Sequence, residues 1–272
     1  MAKPLNVQEM YEKAPKRYVP IGLSILIIGG MSLWSLSVIR VPAINENGLA
    51  VIRSILRSLV NPNYDWLFTL RPIGIPYQMY ETVAIAFLGT LLGAILAVPM
   101  AFLSARNITG KFYSFVGIVL VTMIRTFPVF ILGLMFIRVT GPGPFAGVMT
   151  IGVASIGMMT KLYIESIEDI DKGVLEALDA TGANLLQKIR YGILPQLSAN
   201  FISNSIYRFE INVRNATILG LVGAGGIGFT LISAMNAYRW RDAAAALWGI
   251  VVVVLIIEFI STRIRKKITI GE

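Results

Sequence analysis

The feature that most constrains this chain is a run from Thr82 to Leu103 that contains no charged side chain. The hydrocarbon core of a bilayer is about 30 Å thick, and an α-helix needs about 20 apolar residues to cross it. A second run of this kind, Val19–Ile39, follows a basic segment near the N-terminus. A signal peptide has a shorter apolar core and a small-residue cleavage site, so we interpret Val19–Ile39 as a retained transmembrane helix.

The composition of the whole chain agrees with a membrane protein. Of the 272 residues, 56% are hydrophobic and 14% are charged, whereas soluble domains carry about a quarter charged residues. The apolar runs predict an all-α, polytopic membrane protein with about six transmembrane helices. The predicted spans are Val19–Ile39, Thr82–Leu103, Phe112–Val139, Phe145–Met159, Leu197–Leu221 and Ala243–Ile260.

The positions of Lys and Arg predict the orientation. More of them flank the spans on the inner side if the N-terminus is inside, so the positive-inside rule places both termini in the cytoplasm. The amphipathic stretch Ala50–Val60 is either an interfacial helix or an exposed loop helix. The predicted organisation is a cytoplasmic tail at 1–18, a first transmembrane helix at 19–39, an extracytoplasmic segment at 40–81, a membrane core at 82–262 with a polar cytoplasmic loop at 161–196, and a cytoplasmic basic tail at 263–272.

Two residue types are missing from the sequence, which limits its chemistry. There is no cysteine and no histidine, and this removes disulfides, thiolate metal sites and the commonest general base. We therefore expect no metal site and no catalytic residue. The acidic residues from Glu165 to Asp171 lack the spacing of a calcium loop and are interpreted as a solvated helix surface. The net charge of +9 lies beside apolar runs, which indicates lipid and topology rather than nucleic acid.

The polar loop at 161–196 contains a spaced motif. It resembles the EAA loop of ABC-importer permeases, which has the form E-A-A, three residues, G, nine residues, I-x-L-P. Two positions depart from this form, because Leu178 replaces the second alanine and Gly192 replaces the isoleucine. The matching positions are Glu176, Ala177, Gly182, Leu194 and Pro195.

The residue types in this motif have a mechanical explanation. Ala177, Leu178 and Thr181 are spaced to share one helical face, and a small alanine lets a helix approach a partner closely. Gly182 permits a sharp turn. Pro195 is expected to end the second helix of the loop before the fifth span begins.

The resemblance implies a role for the loop as a whole. A pair of short helices would dock on a cytoplasmic ATPase and couple transport to its motion as a rigid element. Glu176 would pair with an arginine of that partner or lie near a helix N-terminus. The alternative interpretation is an ordinary cytoplasmic connector.

A second stretch narrows the resemblance. Tyr207–Arg214, Ala216–Gly220 and Gly223–Gly228 are similar to the phosphonate-importer branch of these permeases, and the similarity extends from Tyr77 to Lys267. It implies a multi-pass protein of a prokaryotic plasma membrane that imports phosphonates or related phosphorus oxyanions. It also implies a second permease, identical or related, two ATPase subunits that bind ATP-Mg, and an extracytoplasmic binding protein. No cofactor is expected on this chain.

Charged residues lie inside predicted spans, among them Arg125, Arg208, Glu210 and Arg214, and each costs at least about 2.5–3.5 kcal/mol unless it faces protein or water. In one interpretation, Glu210 and Arg214 neutralise each other at i,i+4, Arg208 is left near the membrane surface, and Arg125 binds helix-end carbonyls. In the other, the arginines line the path of an anionic substrate, because the guanidinium group donates paired hydrogen bonds to phosphorus oxyanions. The sequence leaves both interpretations open.

Two glycine motifs resemble nucleotide sites but lack their context. A G-x-G-x-x-G pattern lies between membrane segments without the strand, helix and later acidic residue of a dinucleotide site, so we expect helix packing or an extracytoplasmic turn. Gly110-Lys111 lacks the upstream glycine of a phosphate loop, which assigns ATP hydrolysis to another chain. A stand-alone secondary transporter and a membrane-embedded enzyme remain as weaker alternatives. The glycines of the first pattern are Gly223, Gly225, Gly226 and Gly228.

Overall fold

The computed structural model describes residues 18–38 and 46–270, and within these ranges the regular elements are helices, without a strand. This agrees with the predicted all-α class. The elements are α1 (Tyr18–Val38), α2 (Glu46–Val60), α3 (Tyr64–Phe68), α4 (Ile75–Ser104), α5 (Arg106–Thr109), α6 (Lys111–Thr126), α7 (Val129–Thr140), α8 (Pro144–Glu168), α9 (Lys172–Ala180), α10 (Leu185–Gln187), a π-helical segment (Lys188–Ile193), α11 (Leu194–Gly220), α12 (Ile227–Asn236) and α13 (Trp240–Ile270).

The chain divides into an N-terminal unit, Met1–Ile52, and a larger unit, Arg53–Glu272. Helix α1 belongs to the first unit and is apolar all around, with none of its residues buried. Its serine hydroxyls donate hydrogen bonds back to carbonyls of the preceding turn, as Ser24 does to Pro20 at 2.8 Å. Such internal pairing suits a helix surrounded by lipid, where no water is available.

The membrane core of the larger unit is built on close contact between α4 and α8. A Cβ atom on Gly89 would lie 2.7 Å from Cβ of Ile151, and one on Gly93 would lie 2.5 Å from Cβ of Ser155. Glycines at i and i+4 on α4 therefore let the two backbones approach closely, which is the usual way that helices associate in lipid. Helices α11 and α13 pack around this pair.

Four described helices, α1, α4, α8 and α13, are long and apolar enough to cross a membrane, and there are five if α6 and α7 count as one broken span. The prediction of about six differs because α11, the predicted fifth span, is a helix of 27 residues with a more polar composition. Its charged residues Arg208 and Glu210 are buried against other helices instead of facing lipid. In this helix, the charged side chains are covered by protein, so the helix does not need the apolar composition of a helix that faces lipid.

The single span predicted at Phe112–Val139 is wrong in one respect, because the segment is two helices bent by 82°. The break falls at Phe127 and Pro128. Phe127 is extended, with φ −75° and ψ 120°, as expected for a residue that precedes proline. Pro128 lacks the N–H that a continuous helix would use.

The fourth span also extends beyond its prediction. Helix α8 continues from the predicted end at Met159 through Glu168, so the first part of the predicted polar loop is helical. Tyr163, Ile164 and Ile167 are buried on one side of this extension. Their spacing of three and four residues forms an apolar stripe among the polar positions.

Candidate functional site

The first half of the loop between α8 and α11 is the helix α9, and both of its ends are capped. At the start, Asp171 accepts a hydrogen bond from the backbone N–H of Gly173 at 2.9 Å. At the end, Gly182 has φ +73°, and the N–H of Ala183 donates to the carbonyl of Leu178 at 3.2 Å. This left-handed helix ending favours glycine at position 182.

The second half of the loop begins with a reciprocal cap. The N–H of Gln187 donates to the side chain of Asn184 at 2.9 Å, and the N–H of Asn184 donates to the side chain of Gln187 at 2.8 Å. Asp179 of α9 forms an ion pair with Lys188 of the second half. The two short helices are therefore held together by side chains of the loop itself.

The two departures from the EAA pattern are in contact with each other. A Cβ atom on Gly192 would collide with Cδ1 of Leu178, and Gly192 is buried in the π-helical segment. The larger Leu178 on α9 thus fills the space that the smaller Gly192 leaves open in the π-helical segment. Leu178 is half-buried in this contact, whereas Ala177 and Thr181, which the sequence analysis placed on the same helical face, are exposed.

The outer surface of the loop is open. Of the motif residues, Glu176, Ala177, Thr181, Leu194 and Pro195 are exposed. Three large apolar side chains that the sequence analysis did not select are exposed beside them. These side chains, Leu185, Leu186 and Tyr191, are 47%, 76% and 67% exposed. The sequence does contain a signal for this exposed apolar surface, because two leucines directly follow the capping Asn184 in an otherwise polar loop.

Pro195 does not end a helix, which corrects the sequence analysis. Helical structure runs from Leu185 to Gly220, and Pro195 lies in the first turn of α11. The preceding segment is a π-helix, in which the N–H of Leu194 donates to the carbonyl of Ile189. This wider turn changes the i→i−4 pairing that a proline ring obstructs, so the helix continues through it.

The loop is anchored to the membrane helices by a hydrophobic cluster. Tyr163 of α8 stacks on Phe201 of α11, with 4.3 Å between ring centroids, and its hydroxyl pairs with Ser205 at 2.8 Å. Apolar side chains from α9 and the π-helical segment pack on the same cluster, so the loop and the ends of three long helices form one packed body. The cluster includes Ala97, Ala101, Met159, Tyr163, Ile167, Ile193, Leu197 and Phe201, with Val174, Leu175 and Ile189 from the loop.

Glu210 is the centre of a charge network between α11 and α13. Its carboxylate accepts hydrogen bonds from Arg214 at 3.1 Å and from Arg265 at 3.2 Å, and Arg214 also pairs with Glu258 at 3.0 Å. Glu210 is 7% exposed. The predicted Glu210–Arg214 pair is therefore half of a four-membered network whose formal charges sum to zero. Arg265 was assigned to a tail, but α13 continues to Ile270.

Arg208 has different surroundings. It is 8% exposed, so other residues of the chain cover most of its surface, and its depth in the membrane stays a prediction. Its Nε donates to Oγ of Ser155 at 3.4 Å. In the described part of the chain, no carboxylate oxygen lies within 4.0 Å of it.

A buried amide lies beside Arg208. Nδ2 of Asn212 donates to Oγ1 of Thr90 at 2.8 Å and to Oγ of Ser155 at 2.8 Å. Asn212 is 1% exposed. The three polar residues come from α11, α4 and α8, so this cluster ties the closely packed pair of helices to α11.

Arg125, at the end of α6, contacts α8 at a different place. A Cβ atom on Gly157 would lie 2.6 Å from Cγ of Arg125, and Arg125 itself is exposed at the end of α6. Gly157 and Ser155 are two residues apart, which places them about 200° apart around a helix. Arg125 and Arg208 therefore approach α8 from different sides.

The glycine-rich segment forms a turn before α12. Gly223, Gly225 and Gly226 have φ of +96°, +84° and +75°, and Gly228 packs against Gly220. The two first amides of the helix are satisfied from α4. The N–H of Gly226 donates to Glu81 at 3.0 Å.

Thr82 provides the second of these caps, because its Oγ1 accepts from the N–H of Ile227 at 2.9 Å. The carboxylate of Glu81 thus occupies the place at the helix N-terminus where an anionic ligand binds in nucleotide sites. The turn and packing contacts account for the G-x-G-x-x-G pattern.

The fold and the anchored loop define a polytopic helical protein of the transport type. Residues 89–269 match the family described as binding-protein-dependent transport system inner membrane component. The chain belongs to this family. It is the membrane-spanning permease subunit of an ABC importer, a multi-pass component of the bacterial inner membrane, and not an enzyme.

Relatives of known description are similar over most of the chain. The phosphite transport system permease protein PtxC of Stutzerimonas stutzeri is 33% identical over 81% of this chain and 78% of its own length. The phosphate-import permease protein PhnE of Mycolicibacterium smegmatis is 33% identical over 87% of this chain and 43% of its own length.

A solved structure supports the fold. One chain of the methionine ABC transporter MetNI, in an inward-facing conformation, aligns with a TM-score of 0.63 and 22% identity. The alignment covers 72% of this chain and 96% of that chain. The helical arrangement of the larger unit is thus that of an ABC-transporter membrane subunit.

Proposed function

We propose that this chain imports a phosphorus oxyanion of the phosphite, phosphate or phosphonate class, which an extracytoplasmic binding protein delivers. The relatives that cover most of the chain are named for phosphite and phosphate transport, and the stretch from Tyr207 to Gly228 resembles phosphonate importers. These substrates share tetrahedral phosphorus with several negatively charged oxygens. Arginine is the side chain best suited to bind them.

The observation that carries the proposal is the capped loop between α8 and α11, which is packed into the same hydrophobic cluster as Tyr163 and Phe201. A push on such a loop moves the ends of α4, α8 and α11 together, because close-packed side chains transmit displacement. The exposed surface with Glu176, Ala177 and Thr181 is the face that would bind the ATPase. This arrangement supports energy coupling by rigid-body motion.

The proposed assembly contains two permeases, identical or related, and two ATPase subunits. ATP-Mg binds in the ATPase subunits, and this chain binds no cofactor. Both termini and the α8–α11 loop lie in the cytoplasm, as the distribution of Lys and Arg favours. The glycine-rich turn before α12 then lies near the extracytoplasmic end, towards the binding protein.

Purification in mild detergent followed by reconstitution tests the proposal. We expect an ATPase to co-purify and the assembled transporter to take up phosphite, phosphate or methylphosphonate only with ATP and the binding protein. Choline serves as a control solute without phosphorus. Uptake that persists without ATP would indicate a stand-alone secondary transporter, and uptake of choline alone would overturn the substrate class.

A further inference from the structure

We propose that Arg208, held through its Nε by Ser155, is a contact group for the transported anion, a proposal that rests on the proposed function and assigns its substrate-binding group. Arg208 is the starting point because its charge is buried without a carboxylate in the described part of the chain. Arg214 and Arg265 on the neighbouring network have one. A buried cation without a counter-charge is suited to receive an anion.

The donors of Arg208 are only partly used. Its Nε donates to Ser155 at 3.4 Å, while its two terminal nitrogens make no hydrogen bond to another described residue. Neither terminal nitrogen is sealed from the surface of the chain, because buried side-chain atoms without a partner include only Nε of Arg265 among arginine atoms there. The terminal nitrogens of this buried guanidinium group therefore keep unused donors for two oxygens of one anion.

The surrounding hydrogen bonds fix the polarity of the site. Nδ2 of Asn212 donates to both Ser155 and Thr90, and Thr90 donates its own proton to the carbonyl of Ala86 at 2.6 Å. Ser155 thus accepts from Asn212 and from Arg208, and its hydroxyl proton has no acceptor among the described residues. Ser155 is fully buried and accepts from Nε of Arg208, so it orients the guanidinium group, whose unused N–H donors select for an anion.

The other charged candidates do not fit this role. Glu210 binds both Arg214 and Arg265, so the network already satisfies its cations and would repel an anion with its own carboxylates. Arg125 contacts α8 at Gly157, on a different side from Ser155. Within the described residues, Arg208 is the buried arginine that has no carboxylate partner and keeps both terminal nitrogens unused.

Uptake measured together with ATP hydrolysis tests the inference. We compare wild type, Arg208→Gln and Arg208→Lys in the complete transporter with saturating binding protein, and use phosphite and methylphosphonate as probes. Arg138→Gln, on the exposed surface of α7, is the matched control. For Arg208→Gln we expect phosphite transported per ATP hydrolysed to fall about 10-fold or more, the effect of losing hydrogen bonds to a charged group, with stimulated ATP hydrolysis maintained.

The ratio separates binding of the anion from support of the fold. A purely structural role would lower transport and ATP hydrolysis together and leave the ratio at the wild-type value, which would overturn the inference. If Arg208→Gln does not assemble, Arg208→Lys decides by the same ratio, because lysine keeps the charge and loses the paired donors. Wild type that transports neither probe would instead contradict the proposed function.

Discussion

The loop between α8 and α11 and the charged middle of α11 are organised in opposite ways. The loop is held by local contacts, such as Leu178 on Gly192, and leaves its polar surface open. The charges of α11 reach distant partners, since Glu210 pairs with Arg265, and Arg208 and Glu210 are buried in protein. A surface that binds a partner must stay accessible, whereas a charge in a membrane must be satisfied within the protein. Under the two proposals above, this difference separates the surface that would receive force from the ATPase from the helix whose Arg208 would contact the anion.

The largest effect is expected from breaking the closed network. Glu210→Gln removes the acceptor shared by Arg214 and Arg265, and breaking a buried ion pair from one side costs about 3–5 kcal/mol. We expect a large drop in thermal stability of the purified transporter. Glu165→Gln, which removes an exposed pair with Lys161, is the control and should cost at most about 1 kcal/mol. Equal losses of thermal stability in the two variants would show that the buried network stabilises the protein no more than an exposed ion pair does.

The next effect concerns the packing inside the loop. Gly192→Ile should collide with Leu178 and cost about 1–3 kcal/mol through overpacking. The double variant with Leu178→Ala should recover most of this loss, together with ATP-driven uptake, because it restores the sizes that the EAA pattern has. Thermal unfolding of both single variants and the double variant measures the coupling. Strictly additive effects would show that the two positions are independent.

A smaller effect is expected from the cap of α12. Glu81→Ala leaves the N–H of Gly226 without its acceptor, and losing a helix cap costs about 0.5–2 kcal/mol. The contact between Glu81 and Gly226 joins residues that are far apart in the sequence, as the ion pairs of α11 do, but it involves a single carboxylate. It therefore tests whether the loss of stability grows with the number of charged groups in a long-range contact. Thermal unfolding provides the measurement, with Thr82→Val as a comparison for the neighbouring cap. A loss as large as that of Glu210→Gln would break this scaling.

The smallest effect on stability is expected at the open surface of the loop. Leu186→Ala should change the free energy of unfolding by no more than about 0.5 kcal/mol, because the side chain is 76% exposed. The same substitution should reduce the amount of ATPase that co-purifies. Leu247→Ala, at a half-exposed position of α13 far along the chain, controls for loss of apolar surface. Full retention of the ATPase would show that this side of the loop is not its binding surface.

Sequence patterns predicted what depends on neighbouring residues. The apolar runs gave the long helices α4, α8 and α13, and Gly182 lies at a left-handed helix end. They did not predict the bend at Pro128 as two separate helices, since a proline alone does not specify an angle. They also placed the end of a helix at Pro195, because the wider π-helical turn before it has no simple sequence signal.

Long-range contacts were beyond the sequence for a different reason. Nothing near Glu210 indicates that Arg265 and Glu258 of α13 complete its network, because the pairing depends on how two helices align. The contact between Leu178 and Gly192 is similar, although the two departures were visible as separate substitutions. The spacing of residues in the sequence predicted the candidate residues. The packing of the helices decides which of them form ion pairs, which contact other side chains and which stay exposed.

Uptake of phosphite by reconstituted transporter, with its ATPase and binding protein, tests the central claim most directly. The account predicts uptake that requires both ATP and the binding protein and that is competed by methylphosphonate but not by choline. Uptake that continues at the same rate after ATP is removed would contradict it.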